Sequence, residues 1–462
     1  MTTADISADL VVLGYGKGGK TLAAALAKSG WRVVMVERSA LMYGGTCINV
    51  GCVPTKAMIQ HAEHLGAGDH RENYHQAVEF TQSLTATLRA KNLAMLETLD
   101  TATVLTGQAR FVDPHTVEVR ATDGDIVTVS GRYVVIGTGS QAVIPDIPGL
   151  ADAPNVVTST ELLVEADLPR RLVVLGGGYI GLEFAAMQAA YGSHVTVLER
   201  RPAILSGEDP DVAEAAREIM ASAGVDIITS ALVDHVESHA DGTTSVHYRI
   251  GGATDTVVAD TILVALGREP VTAELALEHA GVETTPTGAV AVDEHLRTTQ
   301  PHIFAIGDVN GGPQFTYVSL DDYRIVLDQL TGDGTRSTAD RSAVPYTLFL
   351  TPPLSRVGLT ERAATEAGAS IRTATMRVAD MATVPRARIV EQTAGLMKVV
   401  VDAETDQVLG AALLSYDSHE VINLVALAMR HGITATALRD EIYTHPSMTE
   451  AFNQLLGALQ SG

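Results

Sequence analysis

Glu37 stands twenty-three positions after Gly14, and Glu199 stands twenty-three positions after Gly176. Each interval follows a short apolar run, Leu10-Val11-Val12-Leu13 in one and Leu172-Val173-Val174-Leu175 in the other. Each run enters a G-x-G-x-x-G turn, Gly14-Tyr15-Gly16-Lys17-Gly18-Gly19 and Gly176-Gly177-Gly178-Tyr179-Ile180-Gly181. A helix from about Lys20 to Lys28 is expected after the first turn, then a strand Arg32–Val36 closed by Glu37. The second unit continues through a helix to His194–Leu198 and Glu199. Glycines at these positions let backbone approach a pyrophosphate, which sits at the positive end of the helix. A carboxylate at the end of the second strand can accept from both ribose hydroxyls. One fingerprint alone is weak evidence. Two in register confine the chain to an α/β architecture with two Rossmann-like dinucleotide-binding domains.

Other segments fill in that frame. Tyr133-Val134-Val135-Ile136 reads as a buried strand ending in the small-residue turn Gly137-Thr138-Gly139-Ser140, where backbone can pass a cofactor. Ile303-Phe304-Ala305-Ile306-Gly307 puts Asp308 at a strand's carboxyl end, where ligands bind in such sheets; a helix-capping carboxylate is the plainer alternative. Ile262–Leu266 with Gly267 and Arg268 closes the second unit. From about Ala343, alternating strands (Tyr346–Phe349, Leu396–Val401, Val408–Leu414) mix with helices near 418–431 and 448–459, an α+β module whose apolar helices suit a dimer interface. The expected division is a first nucleotide domain at 1–150 and 270–342, a second at 151–269 and a dimerisation domain at 343–462.

The only two cysteines stand five residues apart, in Cys47-Ile48-Asn49-Val50-Gly51-Cys52. No second pair exists to complete a four-thiolate zinc site. Closing so short a loop removes little unfolded-state entropy, which argues against a stability staple. Two thiols this close can cycle between dithiol and disulfide, one attacking and the other resolving. A dithiol beside two dinucleotide sites suggests a flavin between a nicotinamide and the disulfide.

Charge excludes some classes. A formal net charge of −23 opposes nucleic-acid binding. No apolar run is long enough to span a bilayer, and Met1-Thr2-Thr3-Ala4-Asp5 has no basic leader, so the expected location is cytoplasmic, where a cycling disulfide is at home.

These motifs, with Gly44-Gly45-Thr46 before the cysteines, Val53-Pro54-Thr55-Lys56 after them and His445-Pro446-Ser447-Met448-Thr449-Glu450 near the end, resemble the two-cysteine flavoprotein disulfide reductases from end to end. That is the family of dihydrolipoyl dehydrogenase, glutathione reductase and mercuric reductase. The resemblance implies FAD held by Gly14, Gly16, Gly19, Glu37, Gly45, Thr46, Lys56, Thr138, Gly139 and Asp308. It implies NADH or NADPH held by Gly176, Gly178, Tyr179, Ile180, Gly181, Glu199 and Gly267. By the same analogy Cys52 is the flavin-side thiol, Cys47 faces the acceptor, and Lys56 pairs with Glu183. His445, oriented by Glu450, reaches across a homodimer to the partner's thiols. Tyr179 matches an aromatic that covers the nicotinamide pocket in relatives, with simple helix packing as its plainer alternative. Glu199 favours the free 2′-hydroxyl of NADH, although Arg200 and Arg201 could receive the phosphate of NADPH.

The acceptor is read from departures. Phe315–Arg324, Thr351–Gly358 and Val384–Arg388 are not signatures of the glutathione or respiratory-complex enzymes. Together with Asp417-Ser418-His419-Glu420 and Met448 they most resemble the reactive-chlorine-resistance copper(II) reductase flavoproteins. This implies reduction of Cu(II) to Cu(I) at Cys47 and Cys52, two soft thiolates that would hold the ion transiently. Mercuric reductase is the next reading, although Leu456–Gly462 lacks its extra cysteine pair and His445 stands where it has tyrosine. A small-thiol reductase resembling dihydrolipoyl dehydrogenase is third, and a non-enzymatic redox sensor is the alternative from another class. His61, His64, His70 and His75 could collect copper, but Glu63, Asp69 and Arg71 share the segment and favour a solvated face. Met448 offers a thioether, although packing is methionine's usual role.

Overall fold

The computed structural model describes residues 4–65 and 69–461; Met1–Thr3 of the opening segment lie outside them. The first seven-stranded sheet orders Ala102–Thr106, Val33–Glu37, Ala4–Leu13, Ile126–Ile136, Thr116–Arg120 and Gln108–Asp113, with Ile303–Ala305 joining the Ile126–Ile136 strand. Its centre is parallel, because Lys17–Lys28 crosses from one strand to the next. This helix begins three residues earlier than expected: Gly16 is its N-cap, so Gly18 and Gly19 lie in its first turn. The second sheet repeats the plan with five parallel strands, Val225–Thr229, His194–Glu199, Arg171–Leu175, Thr261–Val264 and Val156–Val157. The registers match: Leu13 opposes Val36 in one unit, and Leu175 opposes Leu198 in the other.

Two additions had no clear signature in the chain. Leu232–Ser238, Thr244–Ile250 and Ala253–Ala259 form a separate antiparallel sheet, and His70–Glu97 is one 28-residue helix. The C-terminal module is a six-stranded antiparallel sheet built on Leu354–Gly358, Leu396–Asp402 and Val408–Leu414. Its helix Ser418–Arg430 falls where expected. The stretch expected as one helix at 448–459 is shorter, Ala451–Leu455 followed by a tighter turn, and Ala435–Asp440 is an additional helix.

One apolar core joins three parts of the chain. Met58 and Ile59 of the helix Cys52–Glu63, Leu182 and Phe184 of the helix Tyr179–Ala190, and Leu348, Leu396 and Leu414 of the C-terminal sheet pack into a single cluster. Burying each such side chain contributes about 1.5–3 kcal/mol. Buried Lys398 adds a polar tie, 3.2 Å from Asp209, 3.0 Å from Asp211 and 2.7 Å from Glu361. The cysteine helix therefore sits at a seam between units. Among the described residues, no helix is long and apolar enough to cross a membrane.

Candidate functional site

Both glycine turns are shaped by contact with a neighbouring strand. A Cβ on Gly14 (φ +100°) would lie 2.3 Å from the Gly137 carbonyl oxygen, and one on Gly176 (φ +110°) would lie 2.5 Å from that of Ala265. Only glycine serves there. Each turn is braced by its strand-end carboxylate. Tyr15 N–H donates to Glu37 Oε2 (2.9 Å) and Ser39 N–H to Oε1 (3.2 Å). Gly177 N–H donates to Glu199 Oε2 and Arg201 N–H to Oε1, both at 2.8 Å. Each carboxylate oxygen keeps lone-pair capacity for a ribose hydroxyl. The Cα faces of Gly139, Gly178 and Gly267 open onto free space, where a ligand can lie directly on backbone. Gly19 and Gly181 instead close the turns, their Cα faces pressed against the carbonyls of Gly14 and Gly176, and Ile180 follows Tyr179 in the second helix's first turn. This arrangement fits a dinucleotide at each turn.

Asp308 accepts from Ser140 Oγ (2.6 Å), which in turn accepts from Arg268 Nε (2.8 Å). Thr138 Oγ1 donates to the Val271 carbonyl (2.7 Å), fixing the same crossing. Nearby, buried Asp322 accepts from Gly307 N–H (2.6 Å) and pairs with Arg341. Ser140 and Arg268 were read only as parts of a turn and a strand end, and Asp322 only within a distinguishing segment, since each acts through residues distant in the chain.

The cysteine loop lies against the first turn. A Cβ on Gly45 (φ +77°) would be 2.7 Å from Gly16 Cα, so Gly45 and Thr46 bring the thiols to the edge of the first nucleotide site. Both cysteines are free thiols, Cys47 half-buried and Cys52 exposed. Cys52 opens the helix Cys52–Glu63, whose N-terminal backbone favours a thiolate. The Cys47 thiol donates to Cys52, and with the Thr316 hydroxyl 3.6 Å away and the Lys56 charge nearby this outweighs the partial desolvation of the sulfur and lowers the Cys52 thiol to about 6. The same bond, together with burial, holds the proton on Cys47 and raises its titration. Thr316 was legible only as part of a distinguishing segment; its contact with Cys52 spans 264 residues.

Lys56 Nζ meets Glu183 Oε2 at 2.7 Å, and Glu183 Oε1 accepts from Phe349 N–H at 2.9 Å. The Lys56 ammonium stands 4.8 Å from the centre of the Phe349 ring. Tyr179 is 41% exposed at the start of its helix, with its ring 5.4 Å from that of Tyr346. Tyr346 is itself anchored by its hydroxyl to Glu208 Oε1 (2.6 Å).

His445 Nδ1 lies 2.8 Å from Glu450 Oε1, and Ser447 N–H donates to Oε2 (2.9 Å). Burial opposes ionisation of Glu450, but these two bonds outweigh it and hold the carboxyl below its ordinary range. His445 is exposed, and among the described residues this pair makes no hydrogen bond to either cysteine of its own chain. The histidine-rich segment does not converge: His61 lies against Phe80, His64 against Gln60 and His75 near Glu79. Among the described residues no group of three or more His, Cys, Asp or Glu side chains is placed to hold a metal ion. Met448 is 2% exposed in the C-terminal core, so its thioether packs.

Residues 8–322 match the family described as pyridine nucleotide-disulphide oxidoreductase, and residues 344–456 match its dimerisation domain. The chain is 46% identical over 450 residues to the probable pyridine nucleotide-disulfide oxidoreductase RclA of Escherichia coli (strain K12), covering 97% of this chain and 99% of that one. It is 35% identical over 463 residues to a mercuric reductase of Streptomyces lividans, with coverage of 98% and 96%. The solved Cu(II) complex of the HOCl-induced flavoprotein disulfide reductase RclA from Escherichia coli superimposes with a TM-score of 0.92 at 45% identity, over 99% of each chain.

Proposed function

Because the chain belongs to the pyridine nucleotide-disulphide oxidoreductase family, whose enzymes use FAD and a nicotinamide dinucleotide, we propose that it is a Cu(II) reductase acting through Cys47 and Cys52. The observation that carries this reading is the free thiol pair with Cys52 held as thiolate near neutral pH, in a chain that matches a Cu(II)-complexed relative over its full length. Bound FAD supplies the two-electron step between the nicotinamide and the disulfide.

The protein's own residues divide the remaining work. Glu37 and Asp308 hold the flavin dinucleotide, and Glu199 holds the ribose of NADH. Lys56, fixed by Glu183, keeps a positive charge beside Cys52. Cys52 is the flavin-side thiolate, while Cys47 meets the acceptor. Two reduced thiolates suit Cu(I), the product, better than Cu(II). The dimerisation domain pairs two copies, and His445 of one serves the thiols of the other. The setting is cytoplasmic defence against oxidants.

The test is NADH oxidation by the pure holoprotein with Cu(II), Hg(II), lipoamide and small disulfides in turn, with a Cu(I) chelator reporting product. Copper-dependent turnover that forms Cu(I) supports the reading; turnover with disulfides alone overturns it. One observation favours a disulfide as second acceptor: the His445–Glu450 pair is built to move a proton to a leaving thiol. Converting His445 to alanine should then cost disulfide reduction about 10²-fold or more and copper reduction far less.

A further inference from the structure

Tyr179, Tyr346 and Phe315 come from three separate stretches of the chain, yet their rings touch in sequence. Tyr179 and Tyr346 lie 5.4 Å apart between ring centres at 53°, and Tyr346 and Phe315 lie 5.9 Å apart and nearly parallel, at 10°. Tyr317 stacks on Phe315 at 5.2 Å, and its hydroxyl donates to the Pro345 carbonyl, which closes the row onto the residue before Tyr346. The row joins two functional places. Tyr179 opens the helix that follows the second glycine turn, and Phe315 precedes Thr316, whose hydroxyl is 3.6 Å from Cys52 Sγ. Core packing does not account for it. Leu348, in the same strand as Tyr346, and Phe349 just after it join the apolar seam, whereas among the described residues none of these rings belongs to a core cluster. The Tyr346 ring is nonetheless held. Its hydroxyl donates to Glu208 Oε1 at 2.6 Å, and Arg356 Nη1 lies 3.4 Å from Glu208 Oε2. Both charged residues are buried, and Arg356 also donates to the carbonyls of Gly207 (3.2 Å) and Gly358 (3.1 Å). Taking an ion pair out of water is costly, and what this one holds at its outer end is a single phenol.

We propose that Tyr346 is a nicotinamide-contacting residue: its ring, with those of Tyr179 and Phe315, forms the wall along which the nicotinamide lies between the second glycine turn and the thiol side of the flavin site. A dinucleotide anchored by its pyrophosphate at the start of the Tyr179 helix has its nicotinamide end free to reach toward Cys52. Tyr346 stands between those two points, in contact with the ring at each end. A planar group that passes there is held by stacking on aromatic faces and edges, and the oxidised nicotinamide, a cation, is held further by their quadrupoles. Anchoring through Glu208 and Arg356 presets the ring, so this side chain needs no ordering at the moment of binding. The contact adds Tyr346 to the nicotinamide site and rests on the reading that the second turn takes NADH.

The test is calorimetric titration of the oxidised, FAD-loaded protein with NAD+ and with ADP-ribose, which shares the adenine half and the pyrophosphate but lacks the nicotinamide. Tyr346→Leu should weaken NAD+ binding about ten-fold, the scale of one aromatic contact, and leave ADP-ribose within about two-fold. Its KM for NADH should rise by a similar factor with kcat little changed. Tyr346→Phe keeps the ring and should hold NAD+ within about two-fold of wild type. Phe315→Leu removes the ring behind Tyr346 and should weaken NAD+ about three-fold without touching ADP-ribose, a second route if Tyr346→Leu does not fold. Equal weakening of both ligands in Tyr346→Leu would make the tyrosine a support for the turn, and unchanged NAD+ binding would remove it from the site. Either result overturns the inference, as does a loss in Tyr346→Phe as large as in Tyr346→Leu. Gly176→Ala should weaken both ligands alike. Failure of the wild-type protein to bind either ligand, or normal binding of both by Gly176→Ala, would instead overturn the NADH reading on which the inference rests.

Discussion

Glu37 and Glu199 occupy equivalent strand ends and accept the same pair of backbone N–H groups, yet their surroundings differ in kind. Glu37 is 7% exposed, and burial raises its carboxyl above the ordinary range even against the bonds from Tyr15 and Ser39. Its turn is further enclosed by the helix Thr316–Thr331, whose Ser319 Oγ accepts from Gly18 N–H at 3.1 Å, and by the cysteine loop at Gly45. Glu199 is only half-buried, flanked by exposed Arg200 and Arg201, and its turn is faced by the exposed Tyr179. One backbone device has thus been built twice, once enclosed and once open. Enclosure, and not the fingerprint, separates the two sites.

The largest effect expected from that difference comes from the turns themselves. Gly14→Ala should yield protein without FAD and with lowered stability, because the added methyl must displace backbone in an enclosed site. Gly176→Ala should keep FAD while turnover with NADH falls about 10²-fold, the scale of a ligand misplaced by an ångström. Flavin absorbance per protein and steady-state kinetics read both, and equal loss of flavin in the two variants would break the comparison. Next in size is the strand-end pair. Glu199→Ala should shift the kcat/KM ratio about ten-fold toward NADPH, as Arg200 and Arg201 are left unopposed, whereas Glu37→Ala should weaken FAD retention and leave nicotinamide preference alone. An unchanged NADH/NADPH ratio would remove Glu199 from the specificity assignment.

Smaller effects sharpen the contrast. Ser319→Ala removes the acceptor for Gly18 N–H and should cost about 1 kcal/mol of stability, read as a lower Tm, with the KM for NADH unmoved. The pH response should be confined to the first site. The Cys52 thiol is lowered from its ordinary range to about 6, so the reduced protein should keep its thiolate ultraviolet absorbance at neutral pH. That absorbance should vanish as pH falls through about 6, while Cys47 remains protonated throughout. Persistence of the band well below pH 5 or its absence at pH 7 would contradict this geometry.

Local pattern made the two turns readable, because strand, glycine turn and terminal carboxylate lie within one short interval. The cysteine pair was readable for the same reason. Lys56 and Glu183, 127 residues apart, became a pair only through resemblance, and Thr316 and Ser319 were read only within a distinguishing segment, with no role of their own. Nothing in their immediate neighbours marks them: a threonine opening a helix is ordinary until the fold brings it to the Cys52 thiol. The antiparallel strands at 232–259 alternate on a half-exposed surface, where the apolar signal is weakest.

The bond between Glu183 and the Phe349 N–H has a consequence for synthesis. Cys47 and Cys52 leave the ribosome early, but the groups that define their chemistry arrive in order: Glu183, then Thr316, then the backbone of residue 349. A nascent chain therefore carries two thiols long before it carries a redox centre. Its cation is fixed only when the last unit docks, because the Phe349 N–H holds the Glu183 carboxylate that holds Lys56. Activity is in this sense a report that the whole chain has been made and folded.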